Sequence, residues 1–238
     1  MEGNKSGKLL RTLCSAAVFA AGLGGTGALA QEDSEWGTFS ADVTFASEYI
    51  FRGVSMSDED PALQGSLVWT HNSGVYVGAW GSSGNFGVDG SLEVDWFAGY
   101  ATEVSGVSLD FSVTYYTYPG DEADLNYFEV MAKAGYDLGL AAITAGVAYV
   151  PSGQDAYGDE DAVYLFSDLE IPIPNTSVTA GFHIGYEDFG GGVDKLDWSA
   201  GLYTTIAGIN LGLAYVDTNR YNGGLSDARV LFTIGKSF

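Results

Sequence analysis

The residues best suited to chemistry are carboxylates that recur at every second position of apolar segments. Glu93 and Asp95 have this spacing, and Asp168 and Glu170 repeat it. Alternate residues of an extended chain share one face, so these charges would together attract cations and repel anions. Extending the same phase along the chain predicts one polar face, formed by Asp42, Glu48, Glu93, Asp95, Asp110, Glu129, Lys133, Asp168, Glu170, His183, Asp197 and Arg229.

Signs of catalysis are weak. Nucleophilic catalysis needs a histidine beside a nucleophile and an acid, and the chain has only His71 and His183. His71 falls at a predicted short turn, whereas His183 falls on the polar face. No Gly-x-Ser-x-Gly, phosphate-loop or His-Glu-x-x-His pattern occurs, and no EF-hand loop is found. We therefore expect no enzyme activity, no catalytic residue, no cofactor and no metal.

The first thirty residues have the pattern of an export signal. An apolar run over 13–23 follows three basic residues and precedes the small-x-small sequence of 28–30. A single membrane anchor is the alternative, but the run is short and rich in glycine. We predict that residues 1–30 are a cleaved signal peptide and that 31–238 form the mature protein. The three basic residues are Lys5, Lys8 and Arg11.

Composition excludes several classes of protein. The chain has nine basic and 31 acidic residues, and its net charge is −22. Loss of residues 1–30 would remove three bases but one acid, so binding to nucleic acid through charge is not expected. Hydrophobic residues make up 46% of the chain, which is too many for a disordered solvating segment. The single cysteine, Cys14, lies within the predicted signal, so a disulfide is not expected.

The elements that would position the polar face are β-strands. Apolar residues recur with period two, as in the segment 92–100, and no sustained helical period occurs. The lengths suit strands that cross a membrane at a tilt. Twelve segments are predicted, at 38–51, 62–71, 74–82, 91–102, 106–118, 125–136, 139–150, 161–171, 177–187, 195–205, 208–216 and 227–238.

The connections between these segments alternate between short and long. Short turns on one rim and long loops on the other are typical of bacterial outer-membrane barrels. Because lipid offers no hydrogen-bond partners, a spanning sheet must close on itself. We therefore predict an all-β, transmembrane, antiparallel up-and-down β-barrel of about twelve strands. The predicted long loops are 52–61, 83–90, 119–124, 151–160, 188–194 and 217–226.

Aromatic residues are predicted to form two girdles at the strand ends, where amphipathic rings prefer membrane interfaces. The long-loop rim would carry Tyr49, Tyr115, Tyr149, Tyr186 and Tyr215. The short-turn rim would carry Trp69, Tyr100, Tyr136 and Phe238. A terminal aromatic on an alternating last strand also resembles the signal that the barrel-assembly machinery reads, although Lys236 departs from that pattern.

The predicted barrel interior is acidic. Only Lys133 and Arg229 clearly oppose its negative charge, with Arg52 at the rim. Such an interior allows two functions. One is a cation-preferring channel for passive diffusion of small solutes. The other is a closed structural or interaction barrel that acts through acidic loops. Those loops, which include Glu187, are expected to form a solvated anionic surface, with divalent-cation bridging to lipopolysaccharide as the alternative.

Residues 47–65 resemble the signature of the TorF family of proteobacterial porins. Further similar segments are 124–127, 213–217 and 227–230, the last running on to the C-terminal Lys-Ser-Phe. The resemblance implies an outer-membrane barrel with a pore in a Gram-negative bacterium, in contact with lipid and lipopolysaccharide. It carries no substrate. Arg52, inside the first motif, is expected to shape the first long loop rather than to contact a solute.

Overall fold

The computed structural model describes residues 36–86, 91–120, 125–154, 156–220 and 223–238, and the predicted signal peptide lies outside them. Within these ranges no helix is long and apolar enough to cross a membrane. The strands found there are β1 Thr38–Ala46, β2 Ile50–Phe51, β3 Val54–Ser55, β4 Ala62–Thr70, β5 Val75–Ser83, β6 Leu92–Val104, β7 Val107–Thr117, β8 Tyr127–Asp137, β9 Ala142–Val150, β10 Ala162–Pro172, β11 Val178–Asp188, β12 Asp194–Ile206, β13 Ile209–Thr218 and β14 Arg229–Ser237.

Twelve of these strands close into one antiparallel barrel. Each strand pairs with its sequence neighbours, and β1 closes the ring by pairing with both β4 and β14. The amides of Ala41 and Phe238 each donate to the other residue's carbonyl, at 3.2 and 2.8 Å. Closure leaves no unpaired strand edge, which is the condition for a sheet in lipid. The predicted fold class is therefore confirmed.

The two faces of the wall follow the alternation of the sequence. On β6, Leu92, Trp96 and Tyr100 are exposed on the outside. Glu93 and Asp95 between them are buried inside the barrel. A sheet with apolar residues outside and acids inside has the reverse of a soluble barrel's polarity, because here acyl chains would cover the outer face.

Connection length alternates around the barrel, as predicted. The short turns are 71–74, 105–106, 138–141, 173–177 and 207–208. The connections at the opposite rim are 47–61, 84–91, 118–126, 151–161, 189–193 and 219–228. One connection at the long-loop rim, 189–193, is no longer than the short turn 173–177. It is short because β11 and β12 stay paired as far as Asp188 and Asp194. Both ends of the barrel chain lie on the short-turn side.

The first strand ends earlier than predicted. Residues 38–51 were expected to form one strand, but β1 ends at Ala46 and β2 belongs to a separate two-stranded sheet with β3. Tyr49, predicted in the outer girdle, is only 2% exposed and packs inside. The predicted extent of the first strand and the predicted outward position of Tyr49 were both wrong, because the chain turns into the barrel after Ala46. The predicted girdle residues Tyr115, Tyr136 and Phe238 are exposed on the outer face.

Candidate functional site

The hairpin formed by β2 and β3 turns sharply at Arg52 and Gly53. Both residues have positive φ angles, 47° and 80°. Two consecutive positive φ values define a type I′ turn, whose twist suits a two-residue hairpin. The short turn Ala207-Gly208 has the same geometry, with φ angles of 52° and 77°. The hairpin is thus a tight unit, which the 47–61 connection inserts into the barrel.

Arg52 fixes this hairpin against the opposite wall. Its Nη1 lies 2.6 Å from Glu187 Oε1, and its Nη2 lies 2.6 Å from Glu129 Oε2. The guanidinium also stacks on the rings of Tyr164, at 4.1 Å, and Phe51, at 4.7 Å. Arginine suits such a site because its planar group binds two carboxylates and an aromatic face together.

The charge of Arg52 is retained despite burial. Burial disfavours the charged form, but the carboxylates of Glu129 and Glu187 outweigh it and raise the pKa of Arg52 well above its ordinary value. The guanidinium therefore stays protonated at any pH at which the protein is folded. Loss of either carboxylate would leave the buried bases Arg52 and Lys195 with one acid to balance them.

Lys195 completes the ionic network. Its Nζ lies 2.8 Å from Glu187 Oε2 and donates to the backbone carbonyl of Arg52 at 2.7 Å. Two bases and two acids thus neutralise one another, each with a side chain at most 5% exposed. We call Arg52, Glu129, Glu187 and Lys195 the hairpin network. It joins the hairpin to β8, β11 and β12.

Aromatic side chains fill the barrel around the hairpin. Tyr116 and Tyr127 stack with ring centroids 4.4 Å apart, and Tyr157 packs on Tyr127 at 5.1 Å. On the other side, Tyr49 contacts Trp80 at 5.4 Å. Such burial excludes water at this level. The long-loop half of the lumen is therefore constricted by the hairpin and its aromatic neighbours.

Replacement of Gly53 by alanine should loosen the hairpin. A Cβ atom there would lie 2.8 Å from Thr218 Cβ and 2.9 Å from Asp197 Cβ, besides requiring a positive φ. We expect hairpin docking to weaken by about 1–3 kcal/mol. Hydrogen exchange of the Ser55 amide, which donates to the Leu225 carbonyl, measures this.

Gly208→Ala is the matched control for that measurement. Gly208 has nearly the same φ, 77°, but nothing lies within 4 Å of its added Cβ. The control should leave Ser55 protected, although it strains its own turn. Equal protection of Ser55 in the Gly53 and Gly208 variants would contradict close packing of the hairpin against β12 and β13.

The short-turn half of the lumen is more open and acidic. Asp168 has a side chain 39% exposed, and Glu170 is also exposed. His183 lies 26% exposed between two carboxylates, with Nδ1 2.6 Å from Asp168 and Nε2 3.2 Å from Asp197. Nε2 is also 2.8 Å from the Tyr164 hydroxyl, so Tyr164 connects this cluster to Arg52.

The remaining predicted residues lie at other levels of the barrel. Asp42 is half-buried and accepts a hydrogen bond from Ser66. Arg229 pairs with Glu48 and lies 3.7 Å from the Glu59 carboxylate, near the long-loop rim. Asp110 and Lys133 are cross-strand partners on β7 and β8, and both are buried.

Sequence reasoning missed three members of the hairpin network. Arg52 was placed at the rim, Glu187 was assigned to a solvated loop surface, and Lys195 was not singled out. Burial of all three corrects these assignments. A local signal existed in Gly53, because glycine readily adopts the positive φ that the turn of a two-residue hairpin needs. The partners of the hairpin lie 77 to 143 residues away and have no local signal.

Fold and site together define a transmembrane β-barrel with a constricted, charged lumen. The chain belongs to the bacterial family of unknown function Gcw_chp, whose model matches residues 30–238. Among curated proteins none matches significantly. This match does not confirm the resemblance to the TorF family that we predicted from the sequence.

Two solved structures with TM-scores above 0.5 share this fold. The NanC porin shares 13% identity with a TM-score of 0.56, over 84% of this chain and 99% of that one. A structure described as "Unveiling the Mechanism Behind the in-meso Crystallization of Membrane Proteins" shares 14% identity with a TM-score of 0.51, over 84% and 83%. A porin refined at 1.8 Å has 14% identity and a TM-score of 0.44, and matches 74% of this chain. The chain spans 62% of that porin's length.

Proposed function

We propose that the protein is an outer-membrane channel for passive diffusion of small solutes that prefers cations. The observation that carries this proposal is the closed barrel with an apolar outside and an acidic interior. Carboxylates that remain solvated near one mouth, such as Asp168 and Glu170, would concentrate cations there. The hairpin network would set the narrowest point, because it is neutral and fills the other half.

The same proposal implies which lipids and which assembly machinery the protein would contact. The outer face suits lipid, and lipopolysaccharide of a Gram-negative outer membrane would contact the long-loop rim. Export through the signal over residues 1–30 and folding by the barrel-assembly machinery would deliver it there. We assign it to the porin type that the TorF resemblance implies, with no catalytic activity.

A closed interaction barrel is the second candidate, and burial of Arg52 favours it. In that case the hairpin would stay docked and solutes would not pass. Hairpin position is therefore the feature that separates the two functions.

Single-channel recording in planar bilayers with a potassium chloride gradient tests the channel proposal. We expect discrete current steps and a reversal potential whose sign shows that potassium permeates in preference to chloride. Asp168→Asn together with Glu170→Gln should reduce this preference, because two solvated carboxylates near the mouth lose their charge. A silent bilayer, or a reversal potential of the sign for chloride, would refute the proposal.

A further inference from the structure

Two carboxylates on the inner face of β6 have acceptor atoms that remain unsatisfied. Glu93 and Asp95 are 2% and 3% exposed. Glu93 Oε2 and Asp95 Oδ1 are buried without a hydrogen-bond partner among the residues that the structure describes. Buried carboxylate oxygens are normally paired, because desolvation without compensation is costly. These two atoms therefore indicate a missing donor.

The hairpin network does not supply that donor. Arg52 binds Glu129 and Glu187, and Lys195 binds Glu187. The bases and acids of that network already balance. Tyr49 hydrogen-bonds to Glu93, and Glu93 and Asp95 are close enough to hydrogen-bond to each other. Among the described residues no donor reaches Glu93 Oε2 or Asp95 Oδ1, so it would come from a bound molecule or from a proton that the two acids share.

Strand partners of Asp95 form aromatic walls on both sides. In register, Trp80 on β5 and Tyr116 on β7 each lie opposite Asp95. Both rings are buried, at 9% and 7% exposed. Ser82 lies opposite Glu93 on β5, so the wall around Glu93 is smaller.

The loop residues Tyr49 and Tyr118 lie close to the carboxylates. Phe86 packs between Tyr49 and Tyr118, with ring centroids 6.3 and 5.2 Å away. Burial, together with the charges of Glu93 and Asp95, raises the pKa of the Tyr49 and Tyr118 hydroxyls. Both hydroxyls therefore interact electrostatically with the two acids. We call the site the acidic box. Its members are Glu93, Asp95, Tyr49, Trp80, Phe86, Tyr116 and Tyr118.

The donor set decides the kind of cation. Calcium and magnesium prefer about six or more oxygen ligands, and within the described ranges no group of three or more His, Cys, Asp or Glu could hold a metal. A quaternary ammonium has no N–H group and would leave both acceptors unsatisfied. A primary ammonium has three donors, and aromatic faces attract its charge and cover its alkyl part.

We propose that the acidic box binds a small primary alkylammonium cation, whose N–H groups donate to Glu93 Oε2 and Asp95 Oδ1. The site names a class of cation for the proposed channel. The inference rests on the proposed channel function, because the cation would reach the site through the lumen. Binding itself does not require conduction, so it can be measured separately.

Calorimetric titration of the refolded full chain in detergent micelles with ethylammonium chloride tests the site. We expect saturable binding at one site per chain. The double variant Glu93→Gln, Asp95→Asn should bind at least about tenfold more weakly, because charge-assisted hydrogen bonds are lost. It should still fold, since removing unpaired buried charges relieves their desolvation. Asp42→Asn, elsewhere on the inner face, should bind as wild type does.

Tetramethylammonium chloride provides a second comparison that needs no variant. We expect it to bind at least about tenfold more weakly than ethylammonium, because it lacks donors. Absence of ethylammonium binding would overturn the proposal. Equal affinity for the two cations, or unchanged affinity in the double variant, would overturn it as well. A protein that binds ethylammonium but passes no current would refute the channel alone.

Discussion

Arg52→Ala should raise the current through each channel. The substitution removes the guanidinium that pairs with buried Glu129 and leaves Glu187 paired with Lys195. Breaking a buried ion pair in this way costs about 3–5 kcal/mol. Docking of the hairpin should weaken by more than about a hundredfold, so the undocked state becomes populated. The expected readout is a larger single-channel conductance than wild type, with more frequent transitions between levels.

Arg220→Ala is the matched control for this experiment. Arg220 is also a long-loop arginine stacked on an aromatic ring, Phe189, at 4.7 Å, but it is exposed. Its loss should leave conductance unchanged. If Arg52→Ala conducts as wild type does while still folded, the hairpin network does not limit the passage of ions.

Leu67→Arg should strongly destabilise the barrel. Leu67 lies in the middle of β4 and is 57% exposed on the outer face. An arginine at the bilayer midplane on this face costs about 2–4 kcal/mol. Denaturant unfolding in lipid vesicles should show that loss of unfolding free energy.

Ser66→Arg places the same side chain one residue earlier, on the inner face. Ser66 bonds to Asp42, so a new guanidinium there would meet a carboxylate in the lumen. We expect a change of less than about 1 kcal/mol in unfolding free energy. Equal destabilisation by the two arginines would mean that β4 does not separate lipid from an aqueous interior.

The barrel could be predicted from sequence because its evidence is local. Side chains that alternate along a strand reveal its two faces, and a glycine marks four of the five short turns. β6 and β7 show this well, since predicted segments 91–102 and 106–118 match Leu92–Val104 and Val107–Thr117 within a few residues. Alternation also continued through 47–51, and that is why the first strand was predicted too long.

The constriction could not be predicted because it depends on contacts between distant residues. Arg52 meets Glu187 across 135 residues, and Glu187 sits near the end of β11, where a solvated position was an equally good interpretation. Only the inward path of the 47–61 connection brings them together. The unsatisfied oxygens of Glu93 and Asp95 likewise become visible only once their neighbours are placed.

Accessibility of a cysteine inside the barrel tests most directly whether ions pass along its acidic interior. In a Cys14→Ser background, Glu170→Cys places a thiol on the inner face, and Ile171→Cys places one on the outer face. A membrane-impermeant, positively charged thiol reagent should reduce the potassium current of the Glu170 variant and leave the Ile171 variant unchanged. Equal block of both variants, or no change in the Glu170 variant, would contradict a path through the lumen.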